Sequence, residues 1–412
     1  AARMRTSPTQ RALIGAINCA LPGVPAPRHR SSRAKGAAAA PAPPRSEIAA
    51  LQVATYGTAA LWCISMGAGG TDGASGSVFD DDGIDLLFRL ARAPHRSLAS
   101  MGAAALAAAT CDARQHGTIL TLATLVGVLD TLVHSAVELV AVSAVAIVAS
   151  LAEQRANREE LVRRGVLALL QPILMEPPRF AHAAKMQNFV LAAYMLLCEH
   201  VSDKAIRLEN ASGAGESWWA NGEVEWSSSA VDDAASGECE AAGVDTEADH
   251  ANKVLKLNHE MCDVVAVVSQ RSACAPGGRE SILYTATMVW LLARSTRNRH
   301  NLARARLTRA LLQSIVQFWP IVDSGTTAAL LTVERLLAAL WILLYETTAV
   351  EHLLEPFAVD DDPHAVGVEK SSAVRSARSH GGMGLLLSVF GASEARCFAP
   401  LRYITLSCLW VA

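Results

Sequence analysis

The sequence predicts an all-α fold in which helical units stack one on another, and three observations support this prediction. Two stretches, anchored at Asn157 and Asn298, repeat one pattern. The composition is 51% hydrophobic but only 5% aromatic, so the apolar content is mostly Ala, Leu and Val, of which Ala and Leu favour helices over sheets. A chain of 412 residues would ordinarily form two or three domains, whereas a stack of repeats grows in one dimension.

The repeat is clearest where the two stretches align without a gap. Leu151–Leu161 corresponds to Leu292–Leu302, and after one extra residue Ala168–Gln171 corresponds to Ala310–Gln313. Internal repetition of this kind indicates a stack of helical repeats, in which each unit buries its apolar face against the next. Such stacks usually act as binding surfaces.

Residues 1–45 are predicted to be a disordered basic tail, because they are rich in Arg, Ala and Pro and the first acidic residue is Glu47. An organellar transit peptide has the same bias and stays an alternative. The chain begins with Ala1 and ends at Ala412 within an apolar pattern, so we expect a fragment of a longer protein.

From Ser46 onward the pattern becomes helical. The first predicted helices cover residues 46–64, 82–92, 95–110, 119–133 and 136–154. Between Leu139 and Ala152 only Ser143 and Ser150 are polar. This apolar run is shorter than the roughly 20 residues that span a membrane, so a buried repeat helix is favoured. An integral membrane protein that uses residues 119–152 is the alternative.

The unit that begins at Asn157 is predicted to contain a short, a medium and a long helix. Asn157 is placed to cap the first helix, with Glu160 three positions later as in a capping box. Gly165 permits a left-handed turn into the second helix. A proline pair ends that helix, and the third runs over about 180–200 with Phe189 among its core residues.

The unit at Asn298 is predicted to have the same order. Asn298 caps its first helix, and Pro320 ends its second. Leucines at helical spacing mark its third helix up to Leu344. Further helices are predicted over 252–269, 281–295, 382–391 and from 394 to the end.

An acidic insertion, residues 203–251, is predicted to separate the repeats of 46–202 from those of 252–412. Between Asp203 and Asp249 there are twelve acidic residues but only two basic ones. This stretch has too little apolar surface to order itself, so we expect its centre to be disordered. A second loop without structure is predicted over 357–380.

The run Asn157–Leu170 resembles an armadillo repeat, in which Asn opens the short helix and Gly precedes a line of leucines. The third-helix ends also recur around a tryptophan, at Ala60–Ile64, Ala339–Leu343, Cys408–Val411 and, less closely, Val289–Leu292. The resemblance implies a right-handed superhelical α-solenoid of armadillo-like (ARM/HEAT) repeats over about 46–412. HEAT repeats, with two helices per unit, are the nearest alternative. Arg306 departs from the family at the position of the glycine.

Armadillo proteins usually bind extended peptides or partner proteins along the concave surface of their third helices. The resemblance therefore implies a non-enzymatic scaffold or adaptor, whose candidate protein-binding residues on those helices are Trp62, Trp290, Trp341 and Trp410. Packing between repeats is the alternative role for these tryptophans. Import adaptors of the family pair each tryptophan with an asparagine, but here Cys63, Ile342 and Val411 follow instead. Recognition of basic import signals is therefore not expected.

Two charged features invite a second hypothesis. Trp218, Trp219 and Trp226 lie within the acidic insertion, and one hypothesis is that they form a short acidic-aromatic docking motif. Several arginines cluster near the first helices: Arg163, Arg164, Arg304, Arg306 and Arg309. These arginines either form a solvated surface or contact the acidic insertion.

No motif indicates catalysis, a cofactor or a metal. The loop at Gly67–Gly73 lacks the spacing of a phosphate-binding motif, and Asp80–Asp82 favours the start of a helix. None of the nine cysteines forms a CxxC pair, which predicts buried free thiols in a cytoplasmic or nuclear compartment. A net charge of −3 gives no reason to expect nucleic acid. We expect a protein or peptide partner, without membrane or small-molecule substrate, unless the chain is the docking part of an enzyme such as a ubiquitin ligase.

Overall fold

The computed structural model describes residues 8–23, 45–67, 79–211, 247–274, 279–322, 327–355, 381–391 and 399–412. Every regular element in these ranges is a helix, which confirms the predicted all-α class. The chain divides into two compact units, residues 1–197 and 198–412. The boundary lies within one long helix, a few residues before the predicted insertion.

Unit 1 contains the first nine α-helices and the start of the tenth. They are α1 Pro8–Ala20, α2 Arg45–Gly67, α3 Asp81–Ala91, α4 Arg96–Ala109, α5 His116–Thr121, α6 Leu125–Val133, α7 Glu138–Glu153, α8 Arg155–Arg163, α9 Val166–Met175 and α10 Ala183–Ala211. The long helix α4 packs between α2 and α7, while α5 packs on α8 and α6 on α9. Helices of the same rank in neighbouring repeats thus meet, as in a one-dimensional stack.

Unit 2 begins within α10 and shows the same arrangement. Its other helices are α11 Glu247–Cys274, α12 Arg279–Ala293, α13 Thr296–Arg304, α14 Leu307–Val322, α15 Thr327–Leu343, α16 Thr347–Leu354, α17 Gly381–Gly391 and α18 Ala399–Val411. Helix α15 packs between α12 and α18, α11 packs on α14, and α13 packs on α16. The predicted order of short, medium and long helix is present in α8–α10 and in α13–α15.

The prediction that residues 1–45 are disordered is wrong for Pro8–Gly23. Pro8 is tolerated at the start of α1, because the first backbone N–H of a helix has no partner in any case. Ile14 and Ile17 are buried as α1 packs on α2. At Gly57 of α2, a side-chain Cβ would lie 2.6 Å from Ile17 Cγ1, so glycine is needed for this contact. Residues 1–7 and 24–44 lie outside the described residues.

The predicted insertion is shorter than expected at both ends. Helix α10 continues to Ala211 and α11 begins at Glu247, so parts of 203–251 are helical. The centre, which includes Trp218, Trp219 and Trp226, lies outside the described residues, as do 356–380. Pro320 does not end its helix, since α14 continues to Val322. Phe189 was predicted in the core but is 41% exposed.

The two asparagines that define the repeat do not cap helices. Helices α8 and α13 begin at Arg155 and Thr296, two residues before each asparagine. Asn157 Nδ2 instead donates to the Leu151 carbonyl at 3.1 Å and contacts Nδ1 of buried His116 at 2.8 Å. Asn157 therefore joins its unit to the preceding repeat.

The turns after α8 and α13 have the same backbone conformation. Gly165 has φ of 82°, and Arg306, at the equivalent place, has φ of 58°. The left-handed region is easy for glycine but unfavourable for arginine, by about 1–2 kcal/mol. The repeat at Asn298 therefore keeps the left-handed turn, although Arg306 replaces the glycine.

No single helix within the described residues is both long enough and apolar enough to cross a membrane. The pair Ala113–Thr121 and Leu125–Val133 meets the length and composition test when taken together, but it bends by 103° at the break.

Candidate protein-binding surface

Three of the predicted tryptophans lie on helices that contact one another in series. Trp290 is on α12, Trp341 on α15 and Trp410 on α18. Trp290 and Trp341 are half-buried, whereas Trp410 is 83% exposed. We call the exposed and half-buried side chains of these three helices the third-helix surface.

Trp290 is held in place by two cations. The guanidinium carbons of Arg294 and Arg335 lie 5.6 Å and 5.2 Å from its ring centroid. Arg294 also donates to Asp203 Oδ1 at 2.8 Å. Each cation–π contact contributes about 0.5–1 kcal/mol at an exposed site. Trp290 thus links α10, α12 and α15, and only part of its ring is open to a ligand.

Aromatic side chains continue at the end of α15. The rings of Trp341 and Tyr345 are 6.4 Å apart and tilted by 56°, an arrangement that favours edge-to-face contact. The Arg299 guanidinium lies 6.0 Å from the Tyr345 ring. Tyr345 is exposed, so this end of α15 presents an aromatic group to solvent.

Helix α18 carries an exposed apolar face. Tyr403, Leu406 and Trp410 are 66%, 45% and 83% exposed, and their spacing places them on one side of the helix. The opposite side is fixed, because Cys408 is buried with its Sγ 3.5 Å from the Leu337 carbonyl of α15. Large exposed apolar groups that are adjacent on a rigid helix commonly mark an interaction site.

Trp62, the fourth predicted tryptophan, belongs to unit 1. It lies on α2 and is 37% exposed, while Tyr56 and Val53 of the same helix are also exposed. Its neighbour Leu61 is fully buried. Trp62 is therefore a surface residue of α2 in its own unit.

The predicted arginine cluster divides between the two units. In unit 1, Arg163 and Arg164 donate to Glu160 at 2.6 Å and 2.5 Å. These bonds, led by that from Arg163, lower the pKa of Glu160 from 4.5 to about 2. In unit 2, Arg304 and Arg306 are exposed, and neither forms a salt bridge with a carboxylate of the described residues.

The described residues contain no group of three or more His, Cys, Asp or Glu side chains that could hold a metal ion. Burial raises the pKa of the Cys198 thiol and raises that of Cys262 to about 12, so both are poor nucleophiles at neutral pH. Not every thiol is buried as predicted, since Cys19, Cys63 and Cys111 are exposed.

A cavity of about 420 Å³ lies between α1 and α3. Its lining includes Arg89, which donates to Asn18 Oδ1 at 2.7 Å and to Asp85 Oδ2 at 2.9 Å. The bond to Asn18 joins the two helices, whereas Asp85 and Arg89 both belong to α3, so Arg89 has a structural role in this cavity.

Comparison with protein-family models finds no match to this chain, and comparison with curated proteins finds none either. Among solved structures, a similar chain is described as an engineered protein of the Northeast Structural Genomics Consortium. It is 13% identical, covers 87% of this chain and 95% of its own length, and has a TM-score of 0.28. A likeness of this size carries no argument about fold or function.

Sequence reasoning found the tryptophans of the third-helix surface but missed several of its other residues. The spacing of Tyr403, Leu406 and Trp410 is a helical signal that could have identified the α18 face. The contact between Arg335 and Trp290 joins two helices, and no local pattern predicts it.

Proposed function

We propose that this chain is a non-enzymatic scaffold or adaptor that binds a partner protein or an extended peptide along the third-helix surface. The proposal includes a right-handed superhelical stack of armadillo type, in which this surface is concave. The observation that carries it is the exposed face of α18, where Tyr403, Leu406 and Trp410 are adjacent on a helix whose other side is buried.

The composition of this surface supports protein binding. Trp, Tyr and Arg dominate the residues that contribute most to interface affinity, because they bury large areas and lose little side-chain freedom. Trp410 and Tyr403 are available as anchors, while Arg335 and Arg294 are already ordered by their contacts with Trp290. A partner with apolar side chains at regular spacing would bury the α18 face.

The test begins with partner identification by proximity labelling of the full chain, followed by affinity measurement with the purified partner. Replacement of Tyr403, Leu406 and Trp410 by Ala should weaken binding at least tenfold, because each anchor contributes on the order of 2 kcal/mol when it is central to an interface. The melting temperature should not fall, since these side chains are exposed.

A matched control replaces three exposed apolar residues of α2, Ile48, Val53 and Tyr56, by Ala. This variant should keep the affinity of the parental chain. Unchanged affinity in the α18 variant, or an equal loss in the α2 variant, would contradict the assignment of the binding surface to unit 2.

A further inference from the structure

Helices α12 to α14 form an unusually basic part of unit 2. Between Ser281 and Val322 there are six arginines and no Asp or Glu. Two of the arginines have clear partners, since Arg294 bonds to Asp203 and the buried Arg299 contacts Tyr345. The other four form no salt bridge with any residue that the structure describes. They are Arg297, Arg304, Arg306 and Arg309. We call these four residues the arginine face.

The members of the arginine face are close in the fold. Arg297 and Arg304 are seven residues apart and therefore lie on the same side of α13. Arg306 occupies the turn that follows, and Arg309 lies in the first turn of α14. Three of them are exposed and Arg309 is half-buried. Because Arg297 is also near the positively polarised start of α13, an anion beside it would relieve an unfavourable interaction.

The aligned part of unit 1 shows what the arginine face lacks. There, Glu160 accepts from both Arg163 and Arg164 and neutralises them within one helix and its turn. The residues equivalent to Glu159 and Glu160 are His300 and Asn301. The nearby carboxylate of Glu346 lies 3.5 Å from His300 Nδ1, so it contacts this histidine and forms no salt bridge with the four arginines.

The chain itself contains a segment of complementary charge. Residues 212–246 carry eight acidic side chains and no Lys or Arg. The segment starts where α10 ends at Ala211, and Glu209 of α10 accepts from the Ser295 hydroxyl at 2.6 Å. Ser295 directly precedes α13, so the end of α10 lies beside the helix that carries Arg297.

We infer that the arginine face is an anion-binding surface whose occupant is the acidic segment 212–246 of the same chain. The acidic segment is long enough to make this contact. Ten extended residues span about 33 Å, which exceeds the length of about 14 Å of the nine-residue helix α13. A short tether gives an effective concentration on the order of millimolar, which favours this segment over a free acidic peptide. The inference does not depend on the proposed function, because it concerns α13 and the start of α14 and not the helices of the third-helix surface.

The experiment compares the full chain with a variant in which residues 212–246 are replaced by a Gly/Ser segment of equal length. A labelled synthetic peptide of residues 212–246 is the probe, and its affinity is measured by fluorescence anisotropy. We expect the peptide to bind the Gly/Ser variant at low salt and to bind the parental chain at least tenfold more weakly, because its own segment occupies the site. Binding should weaken strongly at high salt, since it is electrostatic.

The arginine face is then tested in the Gly/Ser variant with R297Q, R304Q, R306G and R309Q together, which should abolish peptide binding. The matched control changes four exposed arginines of unit 1 to Gln, namely Arg92, Arg155, Arg163 and Arg179, and should keep it. If the first set lowers the helix content, a peptide with its eight carboxylates changed to amides gives the same test on an unaltered protein, and it should not bind.

Three results would overturn the inference. The first is no binding of the peptide to the Gly/Ser variant. The second is equal affinity for that variant and the parental chain, which would mean that the segment does not occupy the surface. The third is displacement of the peptide by a DNA oligonucleotide with eight phosphates at a lower concentration than by the unlabelled peptide, which would favour nucleic acid as the occupant.

Discussion

The two repeats that begin near Asn157 and Asn298 contain the same order of helices, but their polar side chains have different hydrogen-bond partners. Asn157 bonds to the Leu151 carbonyl and to His116, whereas Asn298 is buried and its Nδ2 has no hydrogen-bond partner among the described residues. Both repeats share the apolar pattern and the order of the helices. The polar contacts of each repeat depend on the residues of the helices that pack against it.

The neighbouring repeat explains the difference. His116 begins α5, the short helix of the repeat before Asn157. In unit 2 the Asn–His contact is made three residues later, where Asn301 Nδ2 lies 3.1 Å from Nδ1 of His259 on α11. Among the described residues, Asn298 Nδ2 has no such partner. Two aligned residues of the same type thus have different energetic roles.

The largest expected effect tests this difference in the two asparagines. Asn157→Ala should lower the free energy of unfolding by about 2 kcal/mol, because it leaves a buried histidine nitrogen and a carbonyl without their partner. Asn298→Ala, the matched control, should change it by less than about 1 kcal/mol, since the Nδ2 that it removes has no hydrogen-bond partner among the described residues. Chemical denaturation of both full-length variants measures the two values, and similar losses would remove the contrast.

An intermediate effect comes from exchange of the two turn residues. Gly165→Arg should destabilise the protein by about 1 kcal/mol, because arginine is unfavourable in the left-handed region. Arg306→Gly should stabilise it by about 0.5 kcal/mol, a smaller change because glycine also gains freedom in the unfolded chain. Thermal melting of the two single variants checks the signs. A loss of stability in Arg306→Gly would show that its side chain makes a contact worth more than the strain.

A smaller effect concerns Glu160, a carboxylate that is replaced by Asn301 in the repeat at Asn298. Glu160→Gln should cost about 0.5 kcal/mol at neutral pH, the range of a partly exposed ion pair. The folded-state pKa of Glu160 is about 2, below its ordinary 4.5, so its contribution is complete above pH 4.5 and is lost as pH falls through about 2. The variant should therefore lose less stability than the parental chain over this acid range.

The reciprocal change, Asn301→Glu, places a carboxylate three residues before Arg304. The new i, i+3 pair should stabilise α13 by about 0.3 kcal/mol. Loss of the exposed contact between Asn301 Nδ2 and His259 Nδ1 should offset this gain, so we expect almost no net change in stability. Asn301→Glu should weaken binding of the 212–246 peptide to the Gly/Ser variant, because one cation of the arginine face is then neutralised. Unchanged peptide affinity would separate Arg304 from that face.

The helices could be predicted because apolar periodicity is a local property of the sequence. The order of short, medium and long helices could be predicted for the same reason. The role of Asn157 could not, because its partner His116 is 41 residues away and a capping rule considers only adjacent positions. Helix α1 was missed for a similar reason, since its burial depends on contact with α2. For the candidate surface, residue type identified Trp410, but its exposure depends on how α18 packs.

The contact between Ile17 and Gly57 has a practical consequence for anyone who shortens this protein. A protein that starts at residue 46 would lack α1. The surface of α2 around Gly57, which Ile17 of α1 covers, would then be exposed to solvent. Exposed apolar surface of this kind favours self-association. The N-terminal boundary of an expression clone should therefore precede Pro8.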